Sequence, residues 1–313
     1  MQIVHLNYPS QYQMDLDPTS VAVGYFDGVH KGHQEVIQEA INEAEQRKIK
    51  SAVMTFNPHP ITVIKKAPLK DFLITSLDEK VNILKDMNVD YLFVVTFNHD
   101  LAKLSPEEFV NKFFIEMNVK HVVGGFDFSF GHKGAGKIQY MDDYSNGQLT
   151  YSVVDKVTYE GEKVSSTRVR DLLTEGNMSL VSKLLGRPFT LTAKVVHGEK
   201  RGREIGFPTA NLDVDSSHKL PKIGVYAVKV YVNQQPYYGM ANIGYNPTFT
   251  DDVERPLVEV HIFDFNQSIY NETIEVEFHH YIRPEEKFNN VEELIEYMKQ
   301  DEAQTKNFFK IQR

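Results

Sequence analysis

Two histidines three residues apart, His30 and His33, are the side chains of this chain best suited to chemistry on a phosphate. They close the segment 24–33, Gly-Tyr-Phe-Asp-Gly-Val-His-Lys-Gly-His, which overlaps a short apolar run over 21–26. A strand, a glycine turn and a helix start together present free backbone N–H groups and the positive end of the helix dipole to an anion. Imidazoles placed there can donate hydrogen bonds to phosphate oxygens. The segment therefore predicts chemistry on a nucleotide phosphate.

The alternative interpretation is that both histidines are surface residues near the start of a helix. A helix is predicted from His33 onward, because apolar residues recur on one face; they are Val36, Ile37, Ala40, Ile41 and Ala44. His30 and His33 then lie at or just before its first turn. The small residues around them let a backbone approach a ligand closely, and this favours the phosphate site.

The string from Phe26 to His33, Phe-Asp-Gly-Val-His-x-Gly-His, resembles the His-x-Gly-His nucleotidyltransferase superfamily. Within it, the string is similar to the bacterial bifunctional riboflavin kinase/FMN adenylyltransferase family, also called FAD synthetases. Three further segments are similar to motifs of that family: Phe-Asn-Pro-His-Pro at 56–60, Gly-Gly-Phe-Asp-Phe-Ser-Phe-Gly at 124–131, and Ser-Ser-Thr-Arg-Val-Arg at 165–170. The resemblance covers nearly the whole chain.

The resemblance implies adenylyl transfer in the first half of the chain. The phosphate of FMN attacks the α-phosphate of ATP in line, and pyrophosphate leaves without a covalent enzyme intermediate. His30 and His33 are expected to donate to the transition-state oxygens. The other expected contacts are Gly24, Phe26, Asp27, Gly28, Asn57 and Asp127 for the nucleotide or flavin, and Ser166, Thr167 and Arg168 for the leaving phosphates.

Two of these assignments have alternatives. Ser166, Thr167 and Arg168 at a helix start suit a phosphate clamp, but a capped helix with an exposed arginine has the same sequence. Asn57 departs from the family, which often has an acid at this position, and the effect of that departure is open.

A competing motif spans 131–137, which has the Gly-x-x-x-x-Gly-Lys spacing of a P-loop. A P-loop needs Ser or Thr next, because that hydroxyl binds Mg²⁺, and Ile138 has no hydroxyl. We therefore expect a mobile glycine loop near the substrate rather than a P-loop.

The second half carries another glycine-rich segment, in which Gly198, Gly202 and Gly206 are spaced by four residues among basic side chains. This spacing predicts a flexible loop that can wrap phosphates, which alone is a weak signal, and we expect its three glycines to contact ATP or flavin. Its tail, Gly-Phe-Pro-Thr-Ala-Asn, resembles the riboflavin kinase signature, which implies that Thr209 and Asn211 lie at the ATP phosphates and bind Mg²⁺. The alternative is a Pro-Thr turn followed by an Asn cap.

Two later segments, 242–249 and 259–265, are also similar to riboflavin kinases. The resemblance implies that Glu259 takes the proton from the ribityl 5′-hydroxyl as that oxygen attacks the γ-phosphate of ATP. A carboxylate that alternates with apolar residues on a strand is otherwise usually solvent-facing. The family's Asp-Leu-Tyr-Gly is replaced by Ser-Ile-Tyr-Asn, in which Asn271 can take the left-handed conformation of the glycine.

Composition limits the function classes. The 313 residues, 41% of them hydrophobic, are enough for two domains with real cores. The formal net charge of −9 argues against nucleic acid and anionic membranes as partners, although Mg²⁺ at a local site still allows ATP to bind. There is no cysteine, and we find neither a long apolar run nor a secretory leader, so we expect a soluble cytoplasmic protein.

The spacing of apolar residues along the sequence changes near residue 187. Before about 155, β-branched runs alternate with helical stretches, which predicts an α/β fold: a doubly wound parallel sheet, Rossmann-like and of nucleotidyltransferase type. After 187, period-two runs predict a small closed antiparallel β-barrel, riboflavin kinase-like, with a terminal helix over about 291–309. We assign 1–186, including a helical connector at 165–186, to the adenylyltransferase domain and 187–313 to the kinase domain.

The sequence thus predicts a two-step enzyme that converts riboflavin to FMN and FMN to FAD, with Mg-ATP as co-substrate and ADP and pyrophosphate as the other products. Two other functions remain open. One is an enzyme with a single live activity, whose other domain is only a scaffold. The other is a non-catalytic flavin sensor that controls a partner. Oligomeric state and channelling of FMN are not predicted.

Overall fold

The computed structural model of the protein describes residues 1–9, 16–66, 68–198, 201–245 and 255–311. Contacts divide the chain into two compact units, of which the first contains Met1–Leu69 and Leu73–Ser166 and the second contains Lys70–Phe72 and Thr167–Arg313. This division falls within the first residues of the helical connector, whereas the predicted boundary falls after it, so the domain boundary stays a prediction. No helix in the described ranges combines the length and the apolar composition that a membrane crossing requires.

The first unit is built on a six-stranded sheet in which all neighbouring strands are parallel. Its order is β1-β4-β3-β2-β5-β6, with bounds β1 Gln2–Leu6, β2 Thr19–Val23, β3 Lys50–Asn57, β4 Tyr91–Thr96, β5 Val119–Gly125 and β6 Thr150–Val154. The chain order reverses between β2 and β5. Ligands of open α/β sheets bind at such a point, beyond the carboxyl ends of the strands.

Helices pack on both faces of this sheet, which confirms the doubly wound prediction. Val21 and Met54 join one core with Phe109 and its neighbours, whereas Ala22 and Val53 join a second core with the first helix. The helices are α1 Lys31–Arg47, α2 Pro60–Lys65, α3 Leu77–Asp86, α4 Pro106–Val110 and α5 Met141–Ser145, with a π-helical turn at Asn111–Ile115 and 3₁₀ turns at Leu101–Lys103, His132–Gly134 and Ile138–Tyr140. Two ribbons, Ser129–Phe130 with Gly136–Lys137 and Thr158–Tyr159 with Glu162–Lys163, complete the unit.

The glycine segment 131–137 does not form a P-loop. Gly136 pairs with Phe130 in a short antiparallel ribbon, and a Cβ at Gly136 would lie 2.7 Å from the Phe130 ring. Ile138, at the position of the P-loop hydroxyl, is fully buried. The glycine at 136 is therefore required by packing, and the expectation of a mobile substrate loop finds no support in these contacts.

The second unit contains a closed six-stranded barrel of antiparallel pairs, as predicted. Its order is β7-β8-β11-β10-β9-β12, with bounds β7 Phe189–Val196, β8 Ala210–Asp213, β9 Gly224–Val232, β10 Gln235–Gly244, β11 Leu257–Ile262 and β12 Thr273–Arg283. The helices are α6 Ser166–Glu175, α7 Met178–Leu185, α8 Arg201–Glu204 and α9 Val291–Phe309. α9 has the predicted bounds, whereas the short β8 and α8 lie where a loop was expected.

Acid should destabilise the first unit through a buried histidine of β5. His121 is 2% exposed, and its Nδ1 and Nε2 lie 2.7 Å from Thr150 Oγ1 and 3.1 Å from Ser152 Oγ. Burial lowers the pKa of His121 from 6.5 to about 4. The unfolded chain takes up a proton below pH 6.5 and the folded chain only near pH 4, so the stability gained from neutral His121 is complete above pH 6.5 and is lost as pH falls towards 4.

We expect this loss to be about 3 kcal/mol at most, measured by urea unfolding at several pH values between 7 and 4. His121→Gln, which does not titrate, should show a correspondingly smaller pH dependence. His5→Gln, at an exposed position of β1, is the matched control. Equal pH dependence in His121→Gln and the wild type would contradict the assignment.

Candidate active sites

The turn 24–30, directly after β2, has strained backbone. Phe26, Gly28 and Val29 have φ of 55°, 83° and 39°. A β-branched residue such as valine rarely adopts a positive φ, and strain of this kind persists only where the surroundings impose it. Gly24 is required by packing, because a Cβ there would lie 3.0 Å from the Phe26 ring. The strain lies at the carboxyl end of a central strand, where the sheet order predicts a ligand.

Hydrogen bonds to the segment after residue 73 impose this conformation. The carboxylate of Asp27, 3% exposed, accepts the backbone N–H groups of Ile74 at 2.9 Å and Thr75 at 3.2 Å through Oδ1. The Gly28 N–H donates to Thr75 Oγ1 at 3.0 Å, and the Ser166 hydroxyl donates to the Asp27 carbonyl at 2.9 Å. Asp27 and Ser166 were predicted to contact substrate. The hydrogen bonds that these two residues make within the protein position the turn. Their direct contact with substrate stays a prediction.

His30 and His33 lie at the start of α1, where the apolar periodicity put them. His30 is the N-cap, and its Nδ1 accepts the His33 backbone N–H at 3.3 Å. The two rings stack with centroids 3.6 Å apart, and the His33 ring meets the Phe26 ring edge-on at 5.3 Å. A Cβ at Gly32 would lie 3.3 Å from the His30 ring. The glycine between the histidines thus leaves room for the stacked pair.

The electrostatics of the pair keep His33 neutral. Burial lowers the pKa of His33 well below its ordinary value, and the nearby His30, Lys80 and Lys163 lower it further. The Nδ1 atom of His33 is buried and has no hydrogen-bond partner in the described part of the chain. A neutral imidazole still carries one N–H, so His33 can donate to a phosphate oxygen at neutral pH.

Two other predicted residues of the first unit, Asn57 and Asp127, lie around this turn at the same sheet edge. β3, β2 and β5 are neighbours, so their carboxyl ends bring Asn57 and Asp127 to either side of the turn. Both are exposed, and Asp127 Oδ2 pairs with Lys163 Nζ at 2.5 Å. Thr167 and Arg168 continue α6 after Ser166; Thr167 is exposed and Arg168 is half-buried.

Lys80 is a buried residue of this site that sequence reasoning missed. Its Nζ donates to the Tyr25 carbonyl at 2.6 Å and to Thr55 Oγ1 at 3.2 Å, and it lies 4.4 Å from the centre of the Tyr25 ring. Burial lowers the pKa of Lys80 to about 8. A lysine in a ten-residue amphipathic helix is normally solvent-exposed, so no sequence pattern marks this one.

The second site is built on a row of polar side chains across three barrel strands. Glu259 of β11 pairs directly with Asn211 of β8 on one side and with Asn242 of β10 on the other. Directly paired residues project to the same face of a sheet. Val258 and Val260, on either side of Glu259, are buried in the barrel, so the polar row faces outward. Asn242 lies in one of the family motifs but was not predicted as a site residue, because the sequence does not show which residues of two strands pair.

A cavity of about 300 Å³ covers part of this row. Besides Glu259 and Asn242, its walls come from Gly202 and Thr209 of the glycine-rich segment and from α9. This volume is at the lower end of the range for small-molecule sites. Glu259 is therefore not a plain solvent-facing carboxylate, since it is half-buried and lines a partly open cavity together with Thr209.

Gly198 and Pro208 of the glycine-rich segment contact barrel strands, and the flexibility expected of this loop stays a prediction. A Cβ at Gly198 would overlap the Asn211 amide, and a Cβ at Gly202 would overlap the Phe207 carbonyl oxygen. Pro208 O lies 2.8 Å from Nδ1 of His261 on β11. Gly206, with φ of 88° and no atom within 4 Å of a Cβ, is required for its backbone conformation alone.

The C-terminal helix is joined to the barrel by a charged pair at the cavity wall. Arg283 of β12 donates to both carboxylate oxygens of Asp301, at 2.8 and 2.7 Å, and Asp301 is 2% exposed. Such bidentate pairs fix geometry as well as supplying energy.

Asn271 has φ of 67°, the left-handed conformation expected for this replacement of glycine. Of the motif at 242–249, residues 246–249 lie outside the described residues.

A strained turn with a histidine pair on a parallel sheet and a polar row on a barrel define a two-domain, nucleotide-dependent transferase. The FAD synthetase family model matches residues 12–168, and the riboflavin kinase family model matches residues 185–309. Together they cover most of the chain. The chain belongs to the bifunctional riboflavin kinase/FMN adenylyltransferase family.

Individual relatives match over nearly their full length. The bifunctional riboflavin kinase/FMN adenylyltransferase of Listeria monocytogenes is 43% identical over 310 residues, covering 99% of this chain and 98% of the relative. The Bacillus subtilis protein of the same description is 42% identical over 311 residues, covering 99% and 98%. A crystal structure described as a macrolide-efflux protein from Streptococcus pneumoniae is 37% identical, with a TM-score of 0.87 and coverage of 97% of this chain and 99% of that one. That description belongs to the Streptococcus protein and is not carried to this chain.

The neutral state of His33 gives a testable prediction. We expect NMR of the ring nitrogens to show a neutral His33 at pH 6.5, because its pKa is lowered well below that ordinary value. ATP should raise this pKa, since phosphate charge favours the imidazolium. The spectrum of His33→Asn assigns the resonances. A free-protein midpoint at or above the ordinary value would contradict the burial argument.

Proposed function

We propose that this chain makes both flavin coenzymes, as its family does. It is a bifunctional transferase: a riboflavin kinase that forms FMN and an FMN adenylyltransferase that forms FAD, each using ATP. One observation supports the residue assignment best. Most of the first motif set lies in the first compact unit, around the carboxyl edge of the parallel sheet, whereas Thr209 and Glu259 of the second set line a cavity at the barrel of the second unit.

In the first unit, an oxygen of the FMN phosphate attacks the α-phosphorus of ATP. The bond from that phosphorus to the bridging oxygen breaks, and pyrophosphate leaves with the electron pair. Transfers of this kind depend on positioning and charge stabilisation. We propose that the N–H of neutral His33, the second ring nitrogen of His30 and the amides of the first turn of α1 bind the transition-state oxygens, while Nδ1 of His30 caps the helix start. Thr167 and Arg168 are proposed for the leaving phosphates on the sequence motif alone.

In the second unit, the 5′-hydroxyl of riboflavin attacks the γ-phosphorus of ATP. We propose that Glu259 accepts the hydroxyl proton while ADP leaves, as a carboxylate base in hydrogen-bond reach can. Its strand partners Asn211 and Asn242, and Thr209 of the packed segment, are proposed to orient the triphosphate and the hydroxyl. The cavity walls shield the reacting oxygen from water.

Mg²⁺ fits the kinase site by the chemistry of its donors. Thr209 and Asn211 offer neutral oxygens, and no group of three or more His, Cys, Asp or Glu in the described ranges could hold a metal alone. Mg²⁺ typically keeps several waters and is completed by substrate phosphates, so two weak protein ligands suffice. When bound, the ion neutralises phosphate charge. Thr209 and Asn211 would hold it.

The partners that follow are small molecules: riboflavin, FMN, FAD, ATP, ADP and pyrophosphate. The formal charge of −9 gives no support for a nucleic-acid or anionic-membrane partner. Because ATP is the co-substrate of both reactions, we propose that the enzyme acts in the cytoplasm.

Separate substitutions at the two sites test the assignment. His33→Asn should let riboflavin become FMN but reduce FAD formation at least about 100-fold, through loss of a positioned donor. Glu259→Gln should reduce FMN formation about 100- to 10,000-fold, through loss of the base, while added FMN still becomes FAD. Chromatography of the products measures both. Control variants are His5→Asn and Glu275→Gln, both at exposed positions.

Three outcomes would contradict the proposal. Loss of both activities from either substitution, with the fold intact, would exclude two separate sites. Flavin that binds but is never converted by the wild type would indicate a sensor. Activity of only one kind would leave the other unit as a scaffold.

A further inference from the structure

Lys80 has a cationic group buried beneath the adenylyltransferase site. It is 3% exposed and projects from α3 towards the carboxyl ends of β2 and β3. Its two hydrogen-bond acceptors, the Tyr25 carbonyl and Thr55 Oγ1, are neutral oxygens. Asp27 attracts this cation, but burial disfavours it more, and a methionine would fill similar space without that cost. The residue therefore calls for a role other than stability.

The contacts of Lys80 lie where the strained turn begins. Tyr25 directly precedes Phe26, the first residue of the turn with positive φ. The Thr55 hydroxyl donates to the same Tyr25 carbonyl at 2.9 Å, so this oxygen accepts from β3 and α3 together. α3 itself is held in place, because Asp27 binds the backbone of Ile74 and Thr75 just before it. The turn therefore contacts α3 in two ways: Asp27 binds the backbone just before the helix, and Lys80 of the helix binds the Tyr25 carbonyl.

The same charge acts on the histidines. Lys80 is one of the groups that lower the pKa of His33. A fixed positive charge below the turn also favours an incoming triphosphate, because buried charges are weakly screened by salt. Lys80 is too buried to be assigned a direct contact with ATP.

We propose that Lys80 is a positioning residue for adenylyl transfer, which holds the 24–30 turn through the Tyr25 carbonyl and keeps a positive charge beneath the phosphate site. This inference rests on the proposed function of the first unit. It adds a residue that lies outside the sequence motifs named above.

The charged state of Lys80 should limit the reaction on the alkaline side. The titratable groups facing it are Asp27 and Tyr25 of the turn and His33 of α1, while β3 contributes the Thr55 hydroxyl. Asp27 raises the pKa of Lys80, but burial lowers it more, to about 8. Protonated Lys80 is lost as pH rises through that value, so kcat/KM for ATP in FAD formation should fall there.

Two substitutions test the proposal in the full-length chain. Lys80→Met should lower kcat/KM for ATP in FAD formation about 10- to 100-fold, the usual loss for a residue that acts through another. Lys80→Arg keeps its charge, so the alkaline fall should move to higher pH. Riboflavin phosphorylation by the same protein should change less than about twofold in both, which shows that the second unit is unaffected. Lys85→Met, exposed on the same helix, is the matched control.

NMR of His33 gives a readout that does not depend on activity. Removing the charge in Lys80→Met should raise the pKa of His33, and Lys80→Arg should leave it unchanged. Full FAD formation by Lys80→Met, or an unmoved alkaline fall in Lys80→Arg, would overturn the proposal. If Lys80→Met does not fold, the Lys80→Arg profile decides. A wild type that forms no FAD would refute the proposed function instead, and an unchanged His33 pKa in Lys80→Met would then refute the role of Lys80.

Discussion

The geometry of the first site depends on hydrogen bonds between the buried Asp27 carboxylate and the backbone of a segment far away in the sequence. Asp27 accepts two consecutive backbone N–H groups, those of Ile74 and Thr75. Together with the bonds from the Gly28 N–H to Thr75 and from the Ser166 hydroxyl to the Asp27 carbonyl, this contact holds the turn in which Val29 has a positive φ, a strained conformation that persists only where its surroundings impose it. The helix start that carries His30 and His33 follows this turn directly. Rigid support of this kind is what catalysis by positioning requires.

The two sites meet the demands of phosphate chemistry in different ways. The first combines a neutral, half-buried histidine with the buried cation of Lys80, in a chain whose formal charge is −9. Burial strengthens each interaction there, because the effective dielectric constant is low. The second places Glu259 between two amide side chains, which provide orientation without competing charge. Adenylyl transfer needs charge stabilisation most, whereas the kinase step also needs a base, and the roles proposed for these residues follow this difference.

The packing of the barrel supports the second site, just as the hydrogen bonds to the 24–30 turn support the first. The barrel fills its interior with Val258, Val260 and their neighbours, and so forces the alternate residues of β11 outward. The pair Arg283–Asp301 then holds α9 against the barrel at the edge of the cavity. A polar row on a barrel surface becomes an enclosed site only because this helix and the glycine-rich segment cover it.

The sequence by itself determined the fold class and the motif residues, because hydrophobic periodicity and local turn chemistry are written in neighbouring positions. It predicted the parallel sheet, the barrel and the helix from 291 to 309, and it placed His30, His33 and Glu259 on the correct elements. It missed β8 and α8, which are too short to show a period. Only the tertiary structure revealed that Asp27 holds Ile74 and Thr75, that Asn242 adjoins Glu259, and that Lys80 is buried. Those facts depend on contacts between residues far apart in the chain, and such contacts are set by strand register and packing, which no local pattern encodes.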